Sequence, residues 1–403
     1  MPFHHPGPGL VDNTGLGGSR LAGLAEYLQP TVKWIRALSG GAVLMLVVGA
    51  AVVRGFYDGH GYMNPDAYFF AAAGERLFSG SWADAFADPR VQAGPLHQLA
   101  MGMLGRLAEM LAVDLRRVLL PAVGVVYTAA LVIVLRLVLA GRGRRSPVLE
   151  LFAAGIALLG GLTWRAASSG HLAEAFIPLL WILAALAAKR SRPVYAGLLL
   201  GVAAGLNVWG LLGAPVLMLA PDIRSMFSGG AVLGGVIVVL YGPFVVFGKV
   251  STLEYEWLIT PHSPLRFFVS LGSEVGWSAR LAQGVAVVAV AAVAAALGRR
   301  SDNAVWAVPL VVIAVRLAVD PLVWSYYWVP VGTVGLVGAL ALLPDRLGWW
   351  HAPVAVGFSF VVWVYYFLEP LPRAAWIVTV AVASIAAGLG ALRFNRSERL
   401  SKV

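Results

Sequence analysis

Acidic side chains are scarce in this chain, and one of them stands where it could move a proton. Asp66 follows Asn64-Pro65 and opens the run Ala67-Tyr68-Phe69-Phe70-Ala71-Ala72-Ala73-Gly74-Glu75-Arg76-Leu77-Phe78. Asn64 reads as a helix N-cap and Pro65 as the first helical position, with Phe70, Ala73 and Leu77 on one face and Glu75 and Arg76 on the other. Four residues before Phe70, Asp66 lies at the end of the apolar stripe and points toward whatever that stripe packs on. Partial desolvation there would make it a better base near neutral pH. The same position also suits a carboxylate that only complements the positive end of its own helix. Asp58, in Tyr57-Asp58-Gly59-His60, reads as a turn residue and is the second choice of base.

The remaining candidates are spread along the chain. His171 and Glu174 lie one helical turn apart, a spacing compatible with a shared metal, but no second pair accompanies them and no metal site is assigned. Arg165 and Arg316 sit near the ends of apolar runs, where an arginine is costly unless it is paired; Asp320, four residues after Arg316, is one partner and a lipid phosphate the other. Tyr326 and Tyr327, between Trp324 and Trp328, form either an interfacial aromatic belt or a sugar platform. His262 lies with Trp257 and Arg266 in a later loop.

The elements that position these residues follow from composition. Of 403 residues, 59% are hydrophobic and 12% charged, against roughly 45–50% and 25% in soluble domains. A water-soluble fold is excluded. The absence of cysteine removes disulfides, thiolate nucleophiles and Cys-bound metals, and the net charge of +10 suits loops beside anionic lipid better than nucleic acid. Apolar runs occur at about 38–56, 118–140, 147–163, 172–188, 195–220, 229–248, 277–297, 304–319, 328–343, 350–368 and 374–392. The basic clusters Arg142/Arg144/Arg145, Lys189/Arg190/Arg192, Arg299/Arg300 and Arg393/Arg396/Arg399 are expected on the cytoplasmic side. All four agree if 195–220 is two short helices broken around Asn207–Pro215, and if 94–113, with His97, Arg106 and Glu109, lies at the outer surface without crossing.

The expected fold is therefore all-α: a polytopic membrane protein of about 12 spans with both termini inside. Residues 1–37 read as a flexible cytoplasmic tail, 38–392 as one transmembrane domain, and 393–403 as a basic cytoplasmic tail. The outer loops 57–117 and 249–276 carry interfacial helices and half of the acidic residues. Loops of that length in a helical bundle usually carry function.

Three stretches resemble glycosyltransferase family 87, membrane transferases of the GT-C superfamily. The first is one span followed by an outer loop in which Asp66 leads into Ala67-Tyr68-Phe69-Phe70-Ala71-Ala72-Ala73. The second is Gly170-His171 opening a span, a basic loop, and Ala196-Gly197-Leu198-Leu199-Leu200-Gly201-Val202-Ala203-Ala204-Gly205. The third is Asp320-Pro321-Leu322-Val323-Trp324-Ser325-Tyr326-Tyr327-Trp328. Family members usually carry Gln where His171 stands, Lys where Asn207 stands, and two His where Tyr326 and Tyr327 stand. Actinobacterial alpha-mannosyltransferases that build envelope glycolipids are the most similar type.

The resemblance implies a GT-C-type fold in the bacterial cytoplasmic membrane and a site facing outward. It also implies a polyprenyl-phosphate sugar as donor, mannose or arabinofuranose, and a glycolipid or glycan as acceptor. Asp66 would be the base of an inverting transfer. Arg165 or Arg316 would stabilise the leaving phosphate, with His171, Glu174, Asp320, Tyr326, Tyr327 and His262 about the substrates. Such a donor carries its own leaving group, so no cofactor is required, and neither a G-x-G-x-x-G nor a Walker A motif is present. The rival classes are a transporter or lipid-linked-sugar flippase and a non-catalytic scaffold. Clustering of polar residues in outer loops, rather than at mid-span, weighs against transport.

Overall fold

A computed structural model describes residues 38–343, Gly357 and 370–400, the side chains of the last segment over 373–393. Of the described residues, 77% are helical. In order, the helices are α1 (Gly40–Asp58), α2 (Pro65–Glu75), α3 (Pro95–Met110), α4 (Arg116–Ala140), α5 (Pro147–Leu159), α6 (Leu162–Ser168), α7 (Leu172–Lys189) and α8 (Pro193–Leu206). A 3-10 stretch, Val208–Leu219, leads to α9 (Ile223–Phe247), α10 (Trp277–Gly298), α11 (Ala304–Val319), α12 (Trp328–Leu342) and α13 (Pro370–Leu400). The one sheet among the described residues is a two-stranded antiparallel ribbon, β1 (Trp257–Leu258) on β2 (Glu274–Val275), with Trp257 opposite Val275 and Leu258 opposite Glu274.

Among the described residues seven helices are long and apolar enough to cross a membrane, and eight if α5 and α6, bent by 50° at their junction, make one span. Three further apolar helices, α8, Val208–Leu219 and α11, are shorter than the roughly 20 residues that a full crossing needs. The apolar run 350–368 and the N-terminal tail lie outside the described residues. The expected break in 195–220 is at Asn207, whose extended backbone (φ −162°, ψ 146°) ends α8 and whose side chain accepts from the Trp209 N–H at 3.3 Å. Helix starts follow local capping chemistry: Ser39 accepts from Ala42, Ser146 from Leu149 and Asp222 from Ser225, while α2, α3, α5 and α8 each begin at proline.

Burial sorts the spans. α7 and α12 are 72% and 78% buried, so they form the centre, whereas α1 at 22% and α9 at 11% present Met45, Val238, Val239 and Phe247 outward. Outward apolar surface of that kind is what lipid contact demands. Trp181 and Trp328 are the largest fully buried side chains. Small residues let neighbours approach: a Cβ on Gly201 of α8 would stand 2.5 Å from Val236 of α9.

The two ends of the bundle differ in chemistry. At one end Arg142 and Arg144 donate to the last carbonyls of α12, Ala341 and Leu343 among them. Lys189 donates to Ser301, and Arg299 to Ala220 and Pro221. Cations thus satisfy carbonyls that helix ends leave open. The first turns of α2, α7 and α10 and the last residues of α8 and α11 meet at the other end, where the cavity lies.

Candidate active site

α2 begins as its sequence dictates: Pro65 at the first position, Asn64 accepting from the Asp66 N–H at 3.0 Å. The loop that precedes α7 lies directly on this first turn. The Asn64 N–H donates to the Ser168 carbonyl at 2.9 Å, and Gly170 (φ +69°) packs so closely that a Cβ there would be 2.5 Å from Ala67 Cα. Glycine is required on both counts, for its left-handed backbone and for the missing side chain. The contact brings His171 Nε2 within 3.3 Å of Asp66 Oδ2. Asp66 itself keeps 49% of its side-chain exposure, so the desolvation expected from its place on the helix is not found; the apolar stripe is covered while the carboxylate opens onto the cavity.

From this pair a chain of contacts runs along the cavity wall. The His171 ring stacks on Tyr326 (centroids 3.9 Å apart, 16° between planes), and Tyr326 stacks on Tyr327 at 5.1 Å. Arg316 lies between the faces of Tyr327 and Trp209, 4.8 and 4.0 Å from their centroids. It donates to Glu174 Oε1 at 3.2 Å and its Nε is 3.6 Å from Asp320 Oδ2. Asp320 accepts in turn from Arg280 Nη1 at 3.1 Å and from the Leu322 N–H at 3.2 Å. Glu174, Arg316 and Asp320 are all less than 8% exposed. Alternating signs make that burial tolerable, since an isolated buried charge would cost far more than the pairing returns.

The cavity has a volume of about 1380 Å³. Its polar head carries Asp66, His171, Glu174, Asn207, Arg280, Arg316, Asp320, Tyr326 and Tyr327. Its apolar arm lies between α10 (Leu281, Gly284, Val285, Val288, Ala292) and the 3-10 stretch (Val208, Leu211, Leu212). From Trp277 to Ala292 the lining follows α10 for about 22 Å at 1.5 Å per residue. The roof is the 249–276 loop, with Trp257, Ile259 and Leu271. It is tied down by Ser263 donating to the Asp320 carbonyl (2.5 Å), by Trp277 donating to Thr252 (2.7 Å), and to the segment between α2 and α3 by Gln92 donating to Thr252 (3.1 Å).

Seven of the ten residues singled out in the sequence line this cavity: Asp66, His171, Glu174, Arg316, Asp320, Tyr326 and Tyr327. Three lie off its wall. Asp58 is the last residue of α1, not a free turn, and is held by Arg54 at 3.0 Å. Arg165 is 2% exposed within α6. His262 accepts from Arg373 Nη1 at 3.1 Å; burial, then the charges of Arg373 and Arg266, hold its imidazole below the usual histidine range. Arg280, Trp209 and Arg90 line the cavity without having been singled out. For Arg280 a signal existed: it is an arginine in the first turns of an apolar span expected to start outside, beside Trp277.

Behind Phe70 stands His97, 1% exposed, its ring 4.8 Å from that of Phe70 and neither nitrogen hydrogen-bonded. Burial first, then the proximity of His171, pushes it down to about 3, with the Gly170 backbone opposing. At the rim, the Glu256 carboxyl is raised because Glu274 shares a hydrogen bond and a negative charge with it. Among the described residues no group of three His, Cys, Asp or Glu is arranged to hold a metal. No protein-family model matches the chain, and no curated protein matches it.

Proposed function

We propose that the chain is an inverting membrane glycosyltransferase of the GT-C type, akin to family 87. It moves a sugar, mannose in the first instance, from a polyprenyl-phosphate donor to an envelope glycolipid or glycan. The observation that carries this reading is the two-part cavity. A charged, aromatic head fits a glycosyl phosphate, and an apolar arm roughly 16 Å long from Leu281 to Ala292, beside a membrane-length helix, fits the first units of an isoprenoid chain. About twelve spans, cytoplasmic termini and an outward-facing site in the bacterial inner membrane complete the proposal. The basic end of the bundle supports that orientation.

In this reaction Asp66 takes the proton of the acceptor hydroxyl as its oxygen attacks the anomeric carbon. The bond from that carbon to the phosphate oxygen breaks, and polyprenyl phosphate leaves with the electron pair. One base suffices because a single displacement forms no sugar–enzyme bond. His171, braced by Tyr326, orients the carboxylate. Tyr326, Tyr327 and Trp209 line the head of the cavity beside this pair.

The test is transfer by the purified chain from polyprenyl-phosphate-mannose to a lipid acceptor, with polyprenyl-phosphate-arabinose run beside it. Asp66→Asn is expected to cut transfer by about 10²–10⁴-fold, the usual worth of a general base, while donor binding persists. Undiminished transfer in that variant rejects Asp66 as the base. Movement of the lipid-linked sugar across vesicles without transfer would favour a flippase instead.

A further inference from the structure

Three arginines line the cavity, Arg90, Arg280 and Arg316, and two of them have the Nε–Nη2 edge turned onto carboxylates. Arg90 gives Nε and Nη2 to the two oxygens of Asp88, at 3.1 and 2.8 Å. Arg316 gives Nη2 to Glu174, sets Nε against Asp320, and has an aromatic ring on each face. Arg280 differs. One nitrogen, Nη1, serves both its acceptors, Asp320 Oδ1 at 3.1 Å and Gln283 Oε1 at 3.2 Å. The guanidinium lies over Trp257 at 5.1 Å, and the side chain keeps 21% exposure. Its Nε and Nη2 donors have no partner among the described residues. That pair of parallel N–H groups is the edge with which arginine grips two oxygens of one phosphate or carboxylate.

The location of this edge limits what it can meet. Arg280 belongs to the first turn of α10, and the next turns of the same helix form the apolar arm of the cavity. The arm begins where the open guanidinium edge stands. On the opposite side, Asp320 joins Arg280 to Arg316 and Glu174, and the stacked tyrosines lead on to Asp66. Asp66, Glu174 and Asp320 outnumber Arg316 and Arg280 by one charge, so a singly charged phosphodiester needs a cation turned toward it, and the open donor pair is that of Arg280.

We propose that Arg280 is the anchor for a lipid-linked phosphate: two phosphate oxygens on Nε and Nη2, the isoprenoid tail along α10, and the sugar turned toward Tyr327 and Asp66. This rests on the transferase reading and gives it a direction, tail to base, with Arg280 in the role that the sequence suggested for Arg165 or Arg316. Asp320 and Trp257 are its positioning residues, holding the guanidinium at one corner and one face.

The test is equilibrium binding to the full-length purified protein in detergent of three probes: polyprenyl phosphate, inorganic phosphate and phosphatidylglycerol. Wild type is expected to bind polyprenyl phosphate saturably and the other two at least about 10-fold more weakly. Arg280→Gln should lose about 10- to 100-fold in affinity for polyprenyl phosphate, the worth of a charge-assisted bidentate contact. Arg280→Lys keeps the charge beside Asp320 but not the fork, and should lose about 10-fold; it serves if the glutamine variant does not fold. Arg224→Gln, exposed at the start of α9, should bind as wild type does.

Wild-type affinity for polyprenyl phosphate in both Arg280→Gln and Arg280→Lys overturns the anchor while leaving the transferase reading intact. Inorganic phosphate binding as tightly as the lipid overturns the tail placement, and phosphatidylglycerol binding as tightly overturns a dedicated isoprenoid donor. Wild type that binds no polyprenyl phosphate overturns both readings together.

Discussion

At the scale of single residues, the protein places neutral and charged groups in adjoining layers. His171 faces the cavity beside Asp66, while His97, one aromatic ring behind, is sealed from solvent and held neutral. Its folded-state value of about 3 lies below the ordinary 6.5, so the sign of its linkage is fixed. Above pH 6.5 both folded and unfolded chains carry a neutral His97 and it has no effect. Below 6.5 the unfolded chain takes up a proton that the folded chain refuses, so stability falls as pH falls, by up to about 1.4 kcal/mol per unit until pH 3 is reached. His97→Leu removes this term. Its melting temperature in detergent should drop less between pH 7.5 and 5 than that of wild type, and parallel curves for the two proteins would refute the assignment.

At the scale of elements, the site depends on a contact that no side chain makes. Gly170 lets the loop before α7 rest on the first turn of α2, and this alone sets His171 against Asp66. Gly170→Ala adds a left-handed backbone cost and an overlap with Ala67, together about 2–5 kcal/mol, and should depress both melting temperature and transfer. Gly155→Ala, in the interior of α5 with open space around it, is the matched control and should be neutral or gain a few tenths to about 1 kcal/mol. If both substitutions behave alike, the close approach at Gly170 does not organise the site.

This contact also marks the limit of what the sequence made legible. Asn64, Pro65 and Asp66 announce a helix start because capping is local chemistry, and the break at Asn207 is announced by the basic clusters, which agree only if 195–220 is two helices. The ring of Glu174, Arg280, Arg316 and Asp320 is not announced. Its members come from three helices and a helix end far apart in the chain, and only Arg316 and Asp320 share a helical spacing. Arg165 and Arg316 looked equivalent, each an arginine near the end of an apolar run; packing alone separates the cavity wall from the interior of α6. Asp58 read as a turn because Gly59 follows it, yet α1 continues through it and Arg54 one turn earlier claims its carboxylate.

At the scale of the whole molecule, the decisive property is polarity from end to end. The cavity head gathers acidic and aromatic groups, whereas Arg142, Arg144, Lys189 and Arg299 close helix ends at the opposite pole. The proposed orientation, cations on the cytoplasmic side and the site on the outer side, rests on one rule, so one measurement tests both halves of it. The chain contains no cysteine, which makes single introduced thiols free of background. Ser270→Cys, exposed in the 249–276 loop, should react in intact cells with a maleimide that does not cross membranes. Arg145→Cys, exposed at the basic pole, should react only after permeabilisation. The converse pattern would put Asp66 and Arg280 in the cytosol, on the wrong side of the bilayer for a sugar presented from the outer leaflet, and an outward-facing transfer would then be untenable whatever the cavity holds.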